Sequence, residues 1–294
     1  MMTRGPKTKG FGLPKLLAED LNFLITNRIP RALTTRLIGW YSHIRSPILA
    51  RISIWIWKIF TPLDLSEARS TRFESLRDCF IRELIPGSRP IDPRPAVMVS
   101  PCDGIIGEHG SVALGQVFQA KGCPYSLRDL LIDPLLEQQW EGARFVTIRI
   151  TSAMYHRFHA PHDGVISRIR YISGDTWNVN PIALKRIEKL FCKNERAILE
   201  MTLSGTNTPL LMVPIAAILV ASIRIHCIET TLNARTKDGM SFTPNTQITK
   251  GQELGWFEHG STILVFAPAT LEIAPNLAVG SMIRMGEPLL NLQR

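Results

Sequence analysis

From residue 86 to the C-terminus, apolar residues come in short runs rich in valine and isoleucine, at 145–150, 165–172, 197–203, 211–223, 262–266 and 282–285. Glycine, proline and Asp-Gly pairs cut these runs off, too soon for helices. β-Branched side chains are stiff about χ1 and suit a pleated sheet, so the pattern predicts a strand-rich domain with few helices. One helix is expected at 181–191, where Ile182, Leu184, Ile187 and Leu190 share a face. The fold class that follows is α+β, predominantly β, barrel- or sandwich-like, preceded by N-terminal amphipathic helices.

Those helices are read from a different spacing. Leu13, Leu17, Leu21 and Leu24, then Leu33, Leu37, Trp40 and Ile44, then Ile48, Ile52, Trp55 and Ile59 recur in steps of three and four. Ile29-Pro30 and Ser46-Pro47 punctuate them, because proline disfavours helix at the residue before it. Residues 1–60 hold ten basic side chains and two acids, eight of the chain's formal +9. A basic excess confined to one apolar segment with Trp40, Tyr41, Trp55 and Trp57 suits an anionic membrane surface; a nucleic-acid groove would spread it among stacking aromatics. Packing of the same helices on the rest of the protein is the competing reading, and one face can do each. Thr71 with Glu74 reads as a capping box opening a helix through Phe73, Leu76, Phe80 and Leu84. Residues 86–95, rich in proline, read as a linker or a long loop.

At 45% apolar and 20% charged the chain is core-forming. Its five cysteines are an odd number with no C-x-x-C pair, which predicts reduced thiols. No run reaches the roughly 20 apolar residues of a spanning helix. The start lacks the basic head, apolar run and cleavage site of a secretory signal, so the chain is expected on the cytoplasmic side.

The densest polar cluster runs from Tyr155 to Gly164 and holds His156, His159 and His162 beside Asp163. Imidazole moves protons near neutral pH, so these are acid–base candidates. A metal site at His156, His159, His162 and Asp163 is the rival, without a thiolate pair or second ligand cluster to support it. Asp103-Gly104 and Asp163-Gly164 read singly as hairpin turns. Asp103 gains interest as a carboxylate able to orient a histidine. Gly260-Ser261-Thr262 puts a serine after glycine at the start of an apolar strand, where backbone can be approached closely. It lacks the G-x-S-x-G of a common serine hydrolase.

Residues from about 73 onward resemble the phosphatidylserine decarboxylase family through ordered motifs. These are Phe80-Ile81-Arg82-Glu83-Leu84, Pro86-Gly87-Ser88-Arg89-Pro90, Ser100-Pro101-Cys102-Asp103-Gly104, Lys121-Gly122-Cys123-Pro124-Tyr125-Ser126-Leu127, Tyr155-His156-Arg157-Phe158-His159, Val179-Asn180-Pro181, Leu190-Phe191-Cys192-Lys193-Asn194-Glu195-Arg196 and Gly260-Ser261-Thr262. The resemblance implies a precursor that cuts itself between Gly260 and Ser261. Asp103, His159 and Ser261 would form the cleavage triad, and His156 would serve decarboxylation. The products would be a large chain, 1–260, and a small chain, 261–294, that stay together as a heterodimer, with further dimerisation left open. Ser261 would become a covalent pyruvoyl group, the only cofactor, with no metal. That group would form a Schiff base with phosphatidylserine and release carbon dioxide and phosphatidylethanolamine. Residues 1–65 would be the membrane-association segment and 66–294 the catalytic domain, peripheral on the cytoplasmic face of a bacterial inner membrane, with no nucleic-acid partner.

Two other readings remain open at this point: a serine hydrolase using Ser261, His159 and Asp103, and a non-catalytic peripheral membrane-binding module. The family's Val-Gly-Ala and Val-Gly-Ser-Ile strand appears here with Ala216 and Ala221 at the glycine positions. No role follows for His259.

Overall fold

In a computed structural model, the described residues are 20, 31–217, 222–233, 236–258 and 261–292. The expected helix through Leu13 to Leu24 and the punctuating Ile29-Pro30 lie outside them, apart from Asp20. Two N-terminal helices, α1 (Arg31–Ser42) and α2 (Pro47–Phe60), precede a one-turn helix, α3 (Leu76–Phe80). The strands follow as β1 (Val97–Val99), β2 (Gly104–Ser111), β3 (Gln116–Ala120), β4 (Cys123–Ser126), β5 (Arg144–Ile150), β6 (Arg157–His159), β7 (Gly164–Ile172), β8 (Arg196–Leu203) and β9 (Pro209–Ala216). Then come β10 (Ser222–Ile225), β11 (Leu232–Asn233), β12 (Ser241–Phe242), β13 (Thr246–Ile248), β14 (Glu253–Phe257), β15 (Ser261–Ala267), β16 (Leu271–Ile273), β17 (Met282–Ile283) and β18 (Pro288–Leu292).

Antiparallel pairing assembles a nine-stranded sheet in the order β12-β7-β8-β9-β15-β5-β2-β17, with β13 also on β7. A four-stranded sheet, β11-β10-β14-β6, and a three-stranded one, β1-β18-β16, accompany it with the hairpin β3-β4. Among the described residues no sheet closes into a barrel, so the predominantly β reading holds in its open, layered form. Alternation along the central strands sorts the core into two layers. Val146, Ile148, Ile150, Ile263 and Val265 face the small sheets, packing with Phe158, Leu254, Phe257 and Leu290. Phe145, Leu264, Phe266, Leu211 and Val213 face the opposite way, against Leu127, Leu130, Leu184 and Phe191 from short helices between the strands. A strand covered on both faces has no exposed side to make polar, which is why 263–267 is apolar throughout.

Local differences from the sequence expectations have physical reasons. The capping box belongs to Ser75 and Asp78, whose side chains each accept the other's backbone N–H, and not to Thr71 and Glu74. The run 211–223 is two strands in different sheets, β9 and β10. The helix over 181–191 is two short ones, Pro181–Arg186 and Leu190–Lys193, separated by Lys189 in the left-handed region. Neither Asp-Gly pair forms a tight hairpin turn. Both glycines open strands at close approaches: a Cβ on Gly104 would meet Ile148 Cγ2 at 2.4 Å, and one on Gly164 would meet the Thr202 carbonyl at 2.4 Å.

Gly255, in the middle of β14, is tighter still. A Cβ there would lie 1.9 Å from the Arg224 carbonyl and 2.9 Å from Phe158 Cζ. Gly255→Ala must therefore spread β10 and β6 away from β14, and is expected to cost about 1–3 kcal/mol. A denaturant midpoint unchanged from wild type would contradict that packing.

Candidate active site

Three chain segments leave the large sheet for the four-stranded sheet at one place. At the end of β15, Ser261 pairs with Ile150 on one side and Ala216 on the other. Paired residues point the same way, so Ser261 shares the face of Ile150 and Ile263, toward the small sheets. Residues 151–156 lead from Ile150 to β6, and 217–222 lead from Ala216 to β10. Residues 258–260 join β14 to Ser261. The Phe257 N–H donates to the His156 carbonyl at 3.0 Å, and the Glu258 N–H to the Ser222 carbonyl at 3.4 Å. The crossing thus gathers His156, Ser222 and the segment before Ser261. Gly260, His259 and Ala221 lie outside the described residues.

Ser261 is fully buried, and its hydroxyl has no hydrogen-bond partner among the described residues. The nearby Ser222 hydroxyl and both ring nitrogens of His156 also lack one. Unpaired buried polar atoms are costly, so their collection at one crossing marks a site and not a packing solution. His156 is fully enclosed and lies edge-on to Phe80, with ring centroids 5.4 Å apart. Burial first, and the Arg82 guanidinium second, push its pKa down to about 3, against a weaker opposing Met154 backbone group that stops short of hydrogen-bond geometry. Arg82 is itself held inside by the carbonyls of Cys79, Ala153 and Met154.

This has a pH consequence. An unfolded histidine binds a proton below about pH 6.5, whereas this one in the fold does so only near 3. His156 therefore costs the fold nothing above about pH 6.5, and lowers stability progressively as pH falls from there toward 3. His156→Phe is expected to flatten that acid limb in a denaturation series from pH 7 to 4. An unchanged slope would contradict the burial of a neutral ring.

His159 sits on β6, its N–H donating to the Pro101 carbonyl at 2.7 Å. Its Nδ1 lies 3.0 Å from the Gly251 carbonyl and its Nε2 3.1 Å from the Tyr155 hydroxyl. A carbonyl only accepts, so Nδ1 carries the hydrogen and the lone pair is left on Nε2. Burial lowers the ring's pKa, while the Gly251 carbonyl, Glu253 and Asp103 oppose that and Arg157 adds to it.

Asp103 does not hold this ring. Arg89 donates to both carboxylate oxygens through Nε and Nη2, and the Met285 N–H donates to Oδ1 at 2.9 Å. The expected Asp103–His159 hydrogen bond is replaced by the Gly251 carbonyl, because the arginine fork occupies the carboxylate. Asp103 reaches His159 only through its charge. His162 is turned elsewhere, its ring nitrogens 3.1 Å and 2.8 Å from the carbonyls of Asp163 and Pro95. Among the described residues no group of three His, Cys, Asp or Glu is arranged to hold a metal ion.

Beside the crossing lies a cavity of about 540 Å³ bordered by Thr61, Arg82, Arg89, Asp103, Tyr155 and Arg284, with Leu84, Ile105 and Ile283 among its apolar walls. Neither Ser261 nor His156 lines it. Tyr155, Arg89 and Ser222 carry no role in the sequence reading. Tyr155 had a signal, since it stands at an alternate position to Arg157 and His159 ahead of a strand, whereas nothing local tied Arg89 to Asp103.

The phosphatidylserine decarboxylase family model matches residues 76–291. Curated relatives called phosphatidylserine decarboxylase proenzyme include one from Yersinia enterocolitica, 32% identical over 285 residues that cover 93% of this chain and 97% of the relative. A second, from Shewanella putrefaciens, is 32% identical over 287 residues, 93% of this chain and 98% of the relative. The chain belongs to the phosphatidylserine decarboxylase family, and it is a decarboxylase.

Proposed function

We propose that this chain is a self-processing phosphatidylserine decarboxylase that cuts itself between Gly260 and Ser261 and turns residue 261 into a pyruvoyl group. The observation that carries the reading is the fully buried, unpartnered Ser261 hydroxyl at the head of β15, facing the layer that contains the two histidines. In the first stage the Ser261 hydroxyl attacks the Gly260 carbonyl, giving its proton to a base, and the amide becomes an ester. His159, whose Nε2 carries the lone pair and accepts from the Tyr155 hydroxyl, is that base; Gly251 orients it and Asp103 favours its charged form. Loss of the proton from the Ser261 α-carbon then breaks the ester. This frees the Gly260 carboxylate and leaves a dehydroalanine, which water converts to the pyruvoyl end with release of ammonia.

The pyruvoyl group would supply an electron sink for the amine-bearing carbon of phosphatidylserine when carbon dioxide leaves. The orphaned serine hydroxyl and the dry apolar surroundings suit such a group, which replaces a hydroxyl that no neighbour needs. The cavity suits the substrate, since Arg82 and Arg284 offer cations to phosphate and carboxylate while its apolar walls suit the first carbons of the acyl chains. Separation of residues 260 and 261 after the cut would join this cavity to the new N-terminus. His156 serves the second stage. Its ring is neutral in the precursor, and a substrate carboxylate beside it would favour the charged form, so the proton that ends on the product carbon would be taken up with substrate in place. Sodium borohydride added during turnover of phosphatidylserine vesicles should fix the lipid amine onto the 261–294 chain. Turnover without such an adduct would defeat the pyruvoyl reading.

The N-terminal helices would bring this site to the bilayer, as residues 1–65 acting at an anionic, cytoplasmic surface. Ile48, Ile52, Trp55, Ile59 and Phe60 form an exposed apolar face on α2, and Leu33, Leu37 and Trp40 a second on α1. No helix among the described residues is long and apolar enough to cross a membrane. Trp57 differs from its neighbours, being stacked on Phe80 with ring centroids 4.2 Å apart, and Tyr41 bonds Ser53. Lipid contact therefore falls to Trp40 and Trp55. The double change Ile52→Glu and Trp55→Glu should weaken binding to anionic vesicles at least about tenfold, the cost of putting charge where apolar area is buried. Unchanged co-sedimentation would place the contact elsewhere.

A further inference from the structure

Glu258 stands three positions ahead of Ser261, yet it is tied to a distant part of the chain. Its side chain is nearly buried, at 9% exposure. Arg77 Nε and Nη2 each lie 2.7 Å from Glu258 Oε1, and His43 Nε2 lies 3.9 Å from Oε2. Its backbone N–H meets the Ser222 carbonyl at 3.4 Å. Arg77 belongs to α3, and the far end of that one-turn helix presents Phe80 to the His156 ring on one side and Trp57 on the other. So short a helix gains little from its own hydrogen bonds, and its place is set by the Ser75–Asp78 box and by packing on α2.

We infer that the half-buried Arg77–Glu258 ion pair holds the segment leading to the scissile bond in register for attack, which makes Arg77 and Glu258 positioning residues for self-cleavage. The inference rests on the self-processing reading above. Its physical basis is twofold. Glu258 is the enclosed member of the pair, so its carboxylate, stripped of Arg77, would move to find water and carry its segment with it, while without Glu258 the Arg77 fork has nothing to hold that segment by. Intramolecular attack is steeply sensitive to placement, and an ångström can cost about a hundredfold in rate. Sequence distance hides the pair, since 181 residues separate its members. Through Arg77 and through Phe80, which packs on Trp57 of α2, α3 would tie the N-terminal helices to the processing machinery.

The test follows conversion of newly translated full-length chain into 1–260 and 261–294 with time. Glu258→Gln and Arg77→Gln should each slow the cut at least about tenfold. The exchanged double variant, Arg77→Glu with Glu258→Arg, should recover to within a few-fold of wild type. Melting curves of each variant in a Ser261→Ala background report the fold alone and should keep a wild-type-like cooperative transition. Single variants that cut at the wild-type rate would overturn the inference. So would an exchanged pair no faster than the single variants, or slow variants whose uncut form has lost its transition. A wild-type chain that stays whole would instead defeat the self-processing reading on which the inference stands.

Discussion

Ser261→Ala is expected to accumulate as one uncut chain of 294 residues, with decarboxylation below about a thousandth of wild type. The size of the loss follows from the two uses of one atom. The hydroxyl oxygen makes the ester that cuts the chain, and the α-carbon that bears its side chain becomes the ketone that accepts the substrate amine. Alanine supplies neither. Folding should survive, because the hydroxyl has no hydrogen bond to lose among the described residues and the site is already apolar on both neighbouring strands, at Ile150 and Ala216. The uncut variant should therefore melt at or slightly above the wild-type temperature. An intact Ser261→Ala chain that still released carbon dioxide would refute the account, and so would one that was cut at the same bond.

His156→Ala should separate the two stages. Cleavage should proceed, since the proposed base for it is His159, whereas decarboxylation should fall about 10²–10⁴-fold, the usual worth of a positioned proton-transfer group. The structure gives this expectation its edge. The Nε2 of His159 is anchored to the Tyr155 hydroxyl, but the His156 ring packs edge-on to Phe80 and neither of its nitrogens has a hydrogen-bond partner among the described residues. Protein mass and carbon dioxide release, measured on one preparation, check both halves. A variant that failed to cut, or that cut and turned over normally, would assign the histidines differently.

Much of this was legible in sequence because it depends on local pattern. Valine- and isoleucine-rich runs mark β5, β7, β8 and β15 wherever a strand is covered on both faces, and the Tyr155–His159 cluster marks chemistry by its density. What stayed hidden depends on distance. Asp103 and His159 are both at the site, yet their assumed bond is preempted by Arg89, fourteen residues before Asp103 and in a loop of prolines. Helices such as Leu127–Leu131 are too short for a periodic signal and form by capping at Ser126. The run 211–223 looked like one strand since hydropathy does not record a change of sheet. The role of α3 is invisible to any local window, because Arg77 meets its partner only in the folded chain.

The central claim is tested most directly by the intact mass of the wild-type protein as purified. The account predicts two masses, those of chains 1–260 and 261–294, the second lighter than its unmodified sequence by the exchange of an amino terminus for a pyruvoyl group. A single mass for the uncut 294-residue chain, persisting after long incubation with phospholipid, would contradict it.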